Sequence, residues 1–301
     1  MRKIQKILSS TTCFLKYLYF SKYCRVKKNS HPDTWLISER GTEARDNAYH
    51  FYKYLKKYHP DINVKYIITK DSPDRHKIAP RDRVDYGSKT HFILFLTAGK
   101  LISSHIMGCS PDASLFSRLD AAGKLKIMGQ KIFLQHGIIK DDIPYLYKDR
   151  TNLDLFSCSA QAEYQFVLDN FGYDKDVVKC TGLARYDSLK NSVKKQILVM
   201  PTFRRQLNYV HNFKHTNFYQ HWNSFLQNPE LIKFLEKTET TLVFYPHYQL
   251  QKRIKDFSSV HPLIKIADSK HYDVQQLLNE SKLLITDYSS VHFDFAYLNK
   301  P

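Results

Sequence analysis

The polar residues with the clearest chemical potential follow an apolar segment near the end of the chain, in LLITDYSSVHFDF. If LLIT is a strand and the serines begin a helix, Thr286, Asp287, Ser289 and Ser290 lie at a strand-to-helix turn. The first N–H groups of a helix lack partners within the helix and carry partial positive charge. Serine hydroxyls add donors, so the turn suits a phosphate or pyrophosphate. The alternative is that Asp287 or a serine only caps the helix.

Two histidines lie where predicted strands end. His136 follows the segment QKIFLQ and precedes Gly137, and His247 follows TLVFYP. Histidine titrates near neutral pH, so a histidine at a strand end is suited to take a proton from an attacking hydroxyl group. The alternative for each is a structural histidine that is fixed by hydrogen bonds. Both are candidate catalytic residues.

Two adjacent arginines follow a third apolar segment, in ILVMPTFRR. Arg204 and Arg205 can each place two parallel N–H groups on phosphate oxygens. The alternative is a basic loop that only faces solvent. The arginines are therefore candidate phosphate ligands.

Several familiar sites are absent from the sequence. It contains no GxGxxG or Walker A loop, no GxSxG nucleophile turn and no zinc-finger spacing of cysteine and histidine. The acidic pair in DKD, residues 174–176, lies in a polar loop and is more typical of a solvated turn than of a metal site. No metal ligands and no firm cofactor are predicted.

The elements that must position these residues alternate along the chain. Apolar, β-branched segments such as TWLISE, NVKYIIT and LDLFSCS alternate with helical patterns such as DNAYHFYKYLKKY, which predicts parallel sheets with crossover helices. The pattern stops in the polar segment NSVKKQ, residues 191–196, and then restarts with ILVMPT. We therefore expect two doubly wound, Rossmann-like α/β domains, over residues 31–190 and 197–301. Their strand ends carry the candidate residues.

The second half has one strand fewer than its last helix requires. By sequence it holds four strands, and the helix predicted over SSVHFDFAYL has no strand after it. In doubly wound domains such a helix normally returns the chain to the sheet. The pattern predicts a C-terminal domain that is incomplete in these 301 residues.

Charge and composition limit the class of partner. The chain has 301 residues, 43% hydrophobic, with a formal net charge of +17, which attracts anionic membranes, phosphate-rich substrates and nucleic acid. Without a recognition motif, specific nucleic-acid binding is not predicted. The five cysteines form no CxxC pair and are odd in number, which favours a cytoplasmic protein. Residues 1–30 are basic and contain no acidic residue before position 30, which is typical of a helix on an anionic membrane surface or of an unordered basic leader.

Six segments in order resemble the CDP-glycerol glycerophosphotransferase family, which includes teichoic acid polymerases and primases. They are WLISERGTEARDNAYHFYKYLKKYHPDINVKYIITKDSPD, FLQHGIIKDD, TGLARYDSL, ILVMPTFRR, FYPHYQL and LLITDYSSVHFDFAYLNKP. The second resembles the His-Gly loop often written HGTPLK, but lacks its Thr-Pro-Leu while keeping Lys140. The third resembles a Gly-x-x-Arg-x-Asp segment. The fourth resembles a PTWR motif, with Phe203 in place of tryptophan.

The resemblance implies a GT-B-like fold, with two Rossmann-like domains facing a cleft. It implies transfer of glycerol phosphate or ribitol phosphate from a CDP-linked donor to a hydroxyl of a membrane-anchored or growing polymer of teichoic acid or capsule, with release of CMP. His136 matches the proposed catalytic base, and His247 a second active-site histidine near the donor phosphate. Thr286, Asp287, Ser289 and Ser290 match the donor-phosphate motif, and Arg204 and Arg205 match PTWR loosely. Mg²⁺ would enter, if at all, with the donor pyrophosphate.

This reading makes the protein a peripheral enzyme on the inner face of the cell membrane. Its partners would be a CDP-polyol, an anionic polyol-phosphate or lipid-linked acceptor, and an anionic membrane surface. Two other hypotheses remain open on the sequence. One is a GT-B glycosyltransferase that uses a nucleotide sugar, and the other is a non-enzymatic basic module that binds membrane or nucleic acid.

Overall fold

The chain forms two compact units, Met1–Ser188 and Leu189–Pro301. The computed structural model describes residues 2–28 and 30–301. The division falls a few residues before the polar segment 191–196, which the sequence predicts as the junction. Each unit has its own parallel sheet and its own hydrophobic core.

The sheet of the first unit has seven parallel strands in the order β3-β2-β1-β4-β5-β6-β7. The strands are β1 His31–Ser38, β2 Asn63–Ile68, β3 Arg83–Asp85, β4 Ala98–Ser103, β5 Gln130–Phe133, β6 Leu155–Cys158 and β7 Val178–Cys180. The central strands are apolar and buried on both faces, as parallel strands covered by helices must be. The three-residue edge strand β3 was not predicted from the sequence.

The helices of the first unit cover the two faces of this sheet. They are α1 Arg2–Val26, α2 Asn47–Tyr58, α3 Lys89–Thr97, α4 Ala113–Ala121, α5 Lys148–Thr151 and α6 Gln161–Asn170. Helix α2 begins where the Asp46 side chain accepts a hydrogen bond from the Asn47 N–H group, and α3 begins at Ser88 in the same way. These caps fix where two of the loops near the strand ends stop.

Helix α1 packs on the first unit through one face. Tyr17, Phe20 and Cys24 are buried, and the ring centroids of Tyr17 and Phe20 lie 5.2 and 5.4 Å from that of Phe92 in α3. The basic N-terminal segment therefore contributes to the core of this unit. The suggested role of this segment at a membrane surface stays a prediction, and it concerns the exposed face of α1. Within the described residues, no helix is both long and apolar enough to cross a membrane.

The second unit has four parallel strands in the order β10-β9-β8-β11. The strands are β8 Gln196–Val199, β9 Thr241–Phe244, β10 Ile264–Ile266 and β11 Leu283–Ile285, and the helices are α7 Asn217–Leu226, α8 Pro229–Thr238, α9 Val274–Glu280 and α10 Val291–Tyr297. The segment Tyr248–Asp256, predicted as a helix, forms 3₁₀ turns instead. Helices α7 and α8 were not predicted, although both are apolar on one face.

Each sheet has one point at which the strand order reverses direction. In the first unit this point lies between β1 and β4, and in the second between β8 and β11. The register aligns the last residues of β1, β4 and β5, because Ser38 pairs with Ser103 and Ser103 with Phe133. In the second unit Val199 is aligned with both Ile285 and Phe244. Ligands of open α/β sheets bind at such positions, so the loops that follow these strands are the places to seek a site.

Candidate functional site

In the first unit, His136 lies at the carboxyl edge of the sheet and is held by an aspartate from another loop. Its Nδ1 atom forms a hydrogen bond with a carboxylate oxygen, Oδ2, of Asp46, which caps α2. Arg185 donates from Nη1 to the other carboxylate oxygen of Asp46 at 3.0 Å and to the carbonyl oxygen of His136 at 2.7 Å. The His136 side chain is 56% exposed, whereas Asp46 and Arg185 are nearly buried. The exposed imidazole of His136 is thus held in place by the nearly buried ion pair of Asp46 and Arg185.

The backbone before His136 adopts an unusual conformation. Gln135 has φ of +68°, a left-handed conformation that non-glycine residues adopt only when their surroundings enforce it. The side-chain amide of Gln135 donates a hydrogen bond to Glu163 at 3.1 Å, and its backbone carbonyl oxygen accepts one from Asn47 Nδ2 at 2.7 Å. Glu163 also accepts from the Ile139 N–H group at 2.6 Å. The loop that carries His136 is therefore fixed on both sides of the histidine.

A second buried carboxylate organises the loop that carries Asp46. Glu39 is fully buried and accepts hydrogen bonds from the N–H groups of Arg45, Asp46 and Tyr49, at 3.1, 2.7 and 3.2 Å. Burial, followed by the negative charges of Asp46 and Glu43, raises the pKa of Glu39 well above its ordinary value. Glu39 thus stabilises the turn between β1 and α2 and positions Asp46.

The surroundings of Asp46 shift its pKa in the opposite direction to that of Glu39. Burial alone would raise the pKa of Asp46, but the neighbouring His136 and the Arg185 guanidinium outweigh it and hold that pKa well below its usual range. The carboxylate is therefore ionised at neutral pH. The ionised carboxylate accepts a hydrogen bond that the Nδ1–H group of His136 donates. The second ring nitrogen of the neutral imidazole, Nε2, then carries a lone pair that can accept a proton.

His105, from the loop after β4, lies against His136. The two ring centroids are 4.3 Å apart at 38°. Burial, and then the adjacent His136, lowers the pKa of His105 well below its ordinary value, so this imidazole is neutral at pH 7. Asp46, His105 and His136 each offer one ligand atom, and these atoms lie within 4.8 Å of one another.

In the second unit, Asp287 joins the loops after β8 and β11. Its carboxylate accepts from the Thr202 N–H group at 3.0 Å and from Arg204 Nη2 at 2.8 Å, and it also forms a hydrogen bond with the Thr202 hydroxyl. Burial would raise the pKa of Asp287, but the hydrogen bonds from Thr202 and the Arg204 cation lower it. The structural alternative on the sequence was that Asp287 or a serine caps the following helix. Asp287 does not cap it, whereas the Ser289 hydroxyl accepts a long hydrogen bond from the Val291 N–H group at 3.5 Å. Asp287 positions Thr202 and Arg204.

The other predicted residues of this unit surround that group. The Arg204 guanidinium lies 4.2 Å from the ring centroid of Tyr288, which stabilises it as a cation. His247 stacks on Phe203 with ring centroids 5.6 Å apart, so the second histidine adjoins the PTFRR loop. The Thr286 hydroxyl donates to the Met200 carbonyl oxygen at 2.6 Å and joins the two strand ends.

Three predicted residues are less constrained. Ser289 and Ser290 precede α10, and Ser290 makes no capping hydrogen bond with its side chain. Arg205 is exposed at the start of a 3₁₀ turn. The structure therefore distinguishes Arg204, which is fixed by Asp287 and Tyr288, from its neighbour.

Sequence reasoning singled out His136 as a catalytic candidate but did not predict which residues surround it. Asp46, Arg185 and His105 lie far from His136 in the chain, and only the strand order brings them together. A signal for two of them was present. Asp46 precedes the amphipathic segment NAYHFYKYL as a capping residue should, and Arg185 lies within the motif-like segment TGLARYDSL.

Two Rossmann-like units, each with a polar cluster where its strand order reverses, define a GT-B-like α/β protein. Similar folds occur in the wall teichoic acid polymerase TagF (18% identity, TM-score 0.65, 97% of this chain and 78% of that chain). They also occur in UDP-GlcNAc 2-epimerase from Neisseria meningitidis (13% identity, TM-score 0.55, 89% of this chain and 81% of that chain). At these identities the likeness concerns the fold.

Residues 18–301 match the family model described as CDP-Glycerol:Poly(glycerophosphate) glycerophosphotransferase, and the chain belongs to this family. It is 35% identical over 284 residues to the minor teichoic acid biosynthesis protein GgaB of Bacillus subtilis (strain 168), covering 89% of this chain and 31% of that protein. It is 25% identical to the teichoic acid ribitol-phosphate polymerase TarK of Staphylococcus aureus (strain NCTC 8325 / PS 47), covering 86% of this chain and 53% of that protein. The chain thus spans about a third to a half of these relatives.

Proposed function

We propose that the protein transfers a polyol phosphate, glycerol phosphate or ribitol phosphate, from a CDP-linked donor to a hydroxyl of a teichoic acid or capsule acceptor. The observation that carries this proposal is the exposed His136, which follows β5 and is fixed through Nδ1 by the ionised Asp46 from the loop after β1, where the strand order reverses. Family membership supports this class of donor and acceptor. The relatives' names support a cell-surface polymer as product.

In the proposed reaction, the acceptor oxygen attacks the β-phosphorus of the donor. The bond between this phosphorus and the bridging oxygen breaks, and CMP leaves with that oxygen. His136 Nε2 accepts the proton of the acceptor hydroxyl. Asp46 fixes the tautomer that makes this possible and stabilises the imidazolium that forms, as an aspartate does behind a catalytic histidine.

The cluster of the second unit would bind the donor phosphates. Phosphoryl transfer needs positive charge and hydrogen-bond donors around oxygens on which negative charge is spread. Arg204 supplies the charge, and Ser289 and Ser290 supply hydroxyl groups on the adjacent loop. Asp287 would act through Arg204, because a carboxylate itself repels phosphate. His247 lies beside the same loop and is proposed to contact the donor phosphate. Arg205 and Thr286 extend the candidate group.

The net charge of the chain supports the proposed acceptor and the proposed site of action. A net charge of +17 favours an anionic polyol-phosphate or lipid-linked acceptor and an anionic membrane surface. The face of α1 that points away from the core exposes Leu15, Leu18 and Tyr19 near Lys22 and Arg25, a combination typical of interfacial helices. We place the protein on the inner face of the membrane, where CDP-linked donors would be available.

The test measures CMP release with acceptor, using CDP-glycerol, CDP-ribitol and UDP-sugars as donors in parallel. His136→Ala should reduce turnover by roughly 10²–10⁴-fold, the usual contribution of a general base. His271→Ala is the control, because His271 is an exposed histidine that also pairs with an aspartate, Asp268. Undiminished turnover in His136→Ala rules out the proposed base, and turnover of UDP-sugars but not CDP-polyols makes the protein a glycosyltransferase instead.

A further inference from the structure

The side chains of Asp46, His105 and His136 converge although they lie far apart in the sequence. Each presents one nitrogen or oxygen atom, and the three atoms lie within 4.8 Å of one another. Two imidazoles and one carboxylate form a ligand set that suits zinc and neighbouring transition metals, whereas Mg²⁺ prefers oxygen ligands. The spacing in the sequence gives no sign of this group.

Asp46 is oriented as metal-binding carboxylates usually are. Its Oδ1 atom accepts hydrogen bonds from the Asn47 N–H group at 2.7 Å and from Arg185 Nη1 at 3.0 Å. Its Oδ2 atom is directed towards His136 Nδ1. Hydrogen bonds to one oxygen of a carboxylate fix the other for coordination, which is the usual role of groups behind a metal ligand.

His105 supplies the independent observation. Its Nδ1 atom lies 3.3 Å from the Ser104 hydroxyl, and its Nε2 atom is buried without a hydrogen-bond partner among the residues that the structure describes. A buried polar atom without a partner is costly and calls for an explanation, such as an ion. A neutral imidazole offers a metal one lone pair, on the nitrogen that carries no proton.

We propose that Asp46, His105 and His136 bind a divalent transition metal ion of the Zn²⁺ class. Zinc bonds of about 2.0–2.2 Å to nitrogen and oxygen require the three ligand atoms to draw together from their present spacing. The ion lies between His136 Nδ1 and Asp46, in place of the hydrogen bond that joins them. The Arg185 cation, which pairs with Asp46, reduces the affinity of the site for a positive ion.

The proposed site also predicts an effect on the reaction, and this part rests on the proposed function. Coordination through Nδ1 leaves the single proton of the neutral His136 imidazole on Nε2. Nε2 then has no lone pair with which to take the proton of the acceptor hydroxyl. No proton is gained or lost overall; the tautomer changes. A bound transition metal ion therefore inhibits transfer.

Metal binding is measured directly, without an activity assay. ZnCl₂ is titrated into the full chain by calorimetry in a buffer that does not chelate metals, and CoCl₂ is followed through its visible absorption bands. One ion should bind, and MgCl₂ should not compete. His105→Gln should weaken binding by about 100-fold, and His271→Gln should leave it unchanged. The absence of saturable binding, or equal affinity in His105→Gln, overturns the proposal.

Two further measurements keep the result interpretable. His136→Gln, at an exposed position, repeats the test if His105→Gln does not fold, as judged by its thermal midpoint, and it should also lose the cobalt bands. Where CMP release is observed, Zn²⁺ should inhibit the wild type at concentrations near its Kd, and about 100-fold more should be needed for His105→Gln. Equal inhibition of both proteins overturns the proposed tautomer switch, whereas a transferase assay without turnover leaves the binding result standing.

Discussion

At the scale of single residues, two carboxylates near the same turn have pKa values that are shifted in opposite directions. The pKa of Glu39 is raised, mainly by burial, and the pKa of Asp46 is lowered because His136 and Arg185 outweigh its burial. Glu39 accepts hydrogen bonds from the backbone N–H groups of its own loop, whereas Asp46 faces side chains that carry or can carry a positive charge. Pairs of groups whose environments separate their pKa values commonly mark the acid and base positions of an active site.

The role of Asp46 predicts the effect of an isosteric substitution. Asp46→Asn keeps an N-cap residue on α2, so the fold should be retained. It removes the charge that stabilises an imidazolium, and we expect kcat for CMP release to fall by roughly 10²–10⁴-fold with the donor KM little changed. The same exchange at the partly exposed Asp268, which also pairs with a histidine, is the control. A donor KM that rises in proportion to the loss of kcat would indicate a binding role instead.

The position of Arg204 predicts a loss of donor affinity. Its guanidinium is held by Asp287 and Tyr288, so it is already oriented before a phosphate binds. Arg204→Ala should weaken CDP-glycerol binding by about 10–100-fold, as loss of a charge-assisted hydrogen bond does. Lys265→Ala, at an exposed position of β10, makes the same change in net charge and serves as the control. Equal losses in the two variants, measured by calorimetry, would mean that only overall charge matters.

At the scale of elements, the sequence predicted strands and strand ends better than the groups that meet there. Apolar runs such as QILV and LLI are local signals, so β8 and β11 and the polar residues after them could be predicted. The contact of Asp46 with His136 depends on the strand order, which no local pattern encodes. The 3₁₀ segment Tyr248–Asp256 was mistaken for an α-helix because both place apolar residues three positions apart.

The packing of α1 predicts which of its tyrosines stabilise the first unit. Tyr17 is fully buried, and its hydroxyl lies 2.8 Å from the Ser110 hydroxyl, whereas Tyr19 is 62% exposed. Tyr17→Ala should lower the free energy of unfolding by about 3–5 kcal/mol, as large-to-small changes in a core do. Tyr19→Ala should cost less than about 1 kcal/mol. Urea denaturation checks both, and similar costs would mean that α1 is not packed as described.

His91 in α3 predicts a loss of stability in mild acid. Burial lowers the pKa of His91 to about 4. Its Nδ1 atom accepts from the Gly87 N–H group, and its Nε2–H group donates to the Cys109 carbonyl oxygen, both at 2.9 Å, so a second ring proton would face an N–H group. In the unfolded chain His91 binds a proton below pH about 6.5, whereas in the folded chain it does so only near pH 4. The free energy of unfolding therefore falls by about 2 kcal/mol between pH 6.5 and 5. His91→Gln should remove this contribution to the difference in stability between pH 7 and pH 5, measured by thermal melts. A pH dependence that is the same in the variant and the wild type would contradict the prediction.

At the scale of the whole molecule, composition predicted the class of partner and the alternation of elements predicted the fold class. The two parallel sheets and the GT-B-like fold are confirmed. Charge alone did not separate nucleic acid, membrane and phosphate substrates, because a positive field attracts any polyanion. The ordered motifs and the family match, which are properties of particular residues, are the basis on which a phosphate-containing substrate is proposed.

The overall charge and the outer face of α1 together predict binding to anionic membranes. Vesicles with about 30% anionic lipid should bind the protein at low salt and release it as salt is raised, whereas neutral vesicles should not bind it. Lys22→Glu with Arg25→Glu reverses two charges on the exposed face of α1, and Lys175→Glu with Lys179→Glu makes the same change elsewhere in the first unit. The first pair should weaken sedimentation with vesicles much more than the second, since juxtamembrane basic residues contribute about 1 kcal/mol each. Equal weakening would show that the protein binds through its general field, and α1 would then have only its structural role in the core.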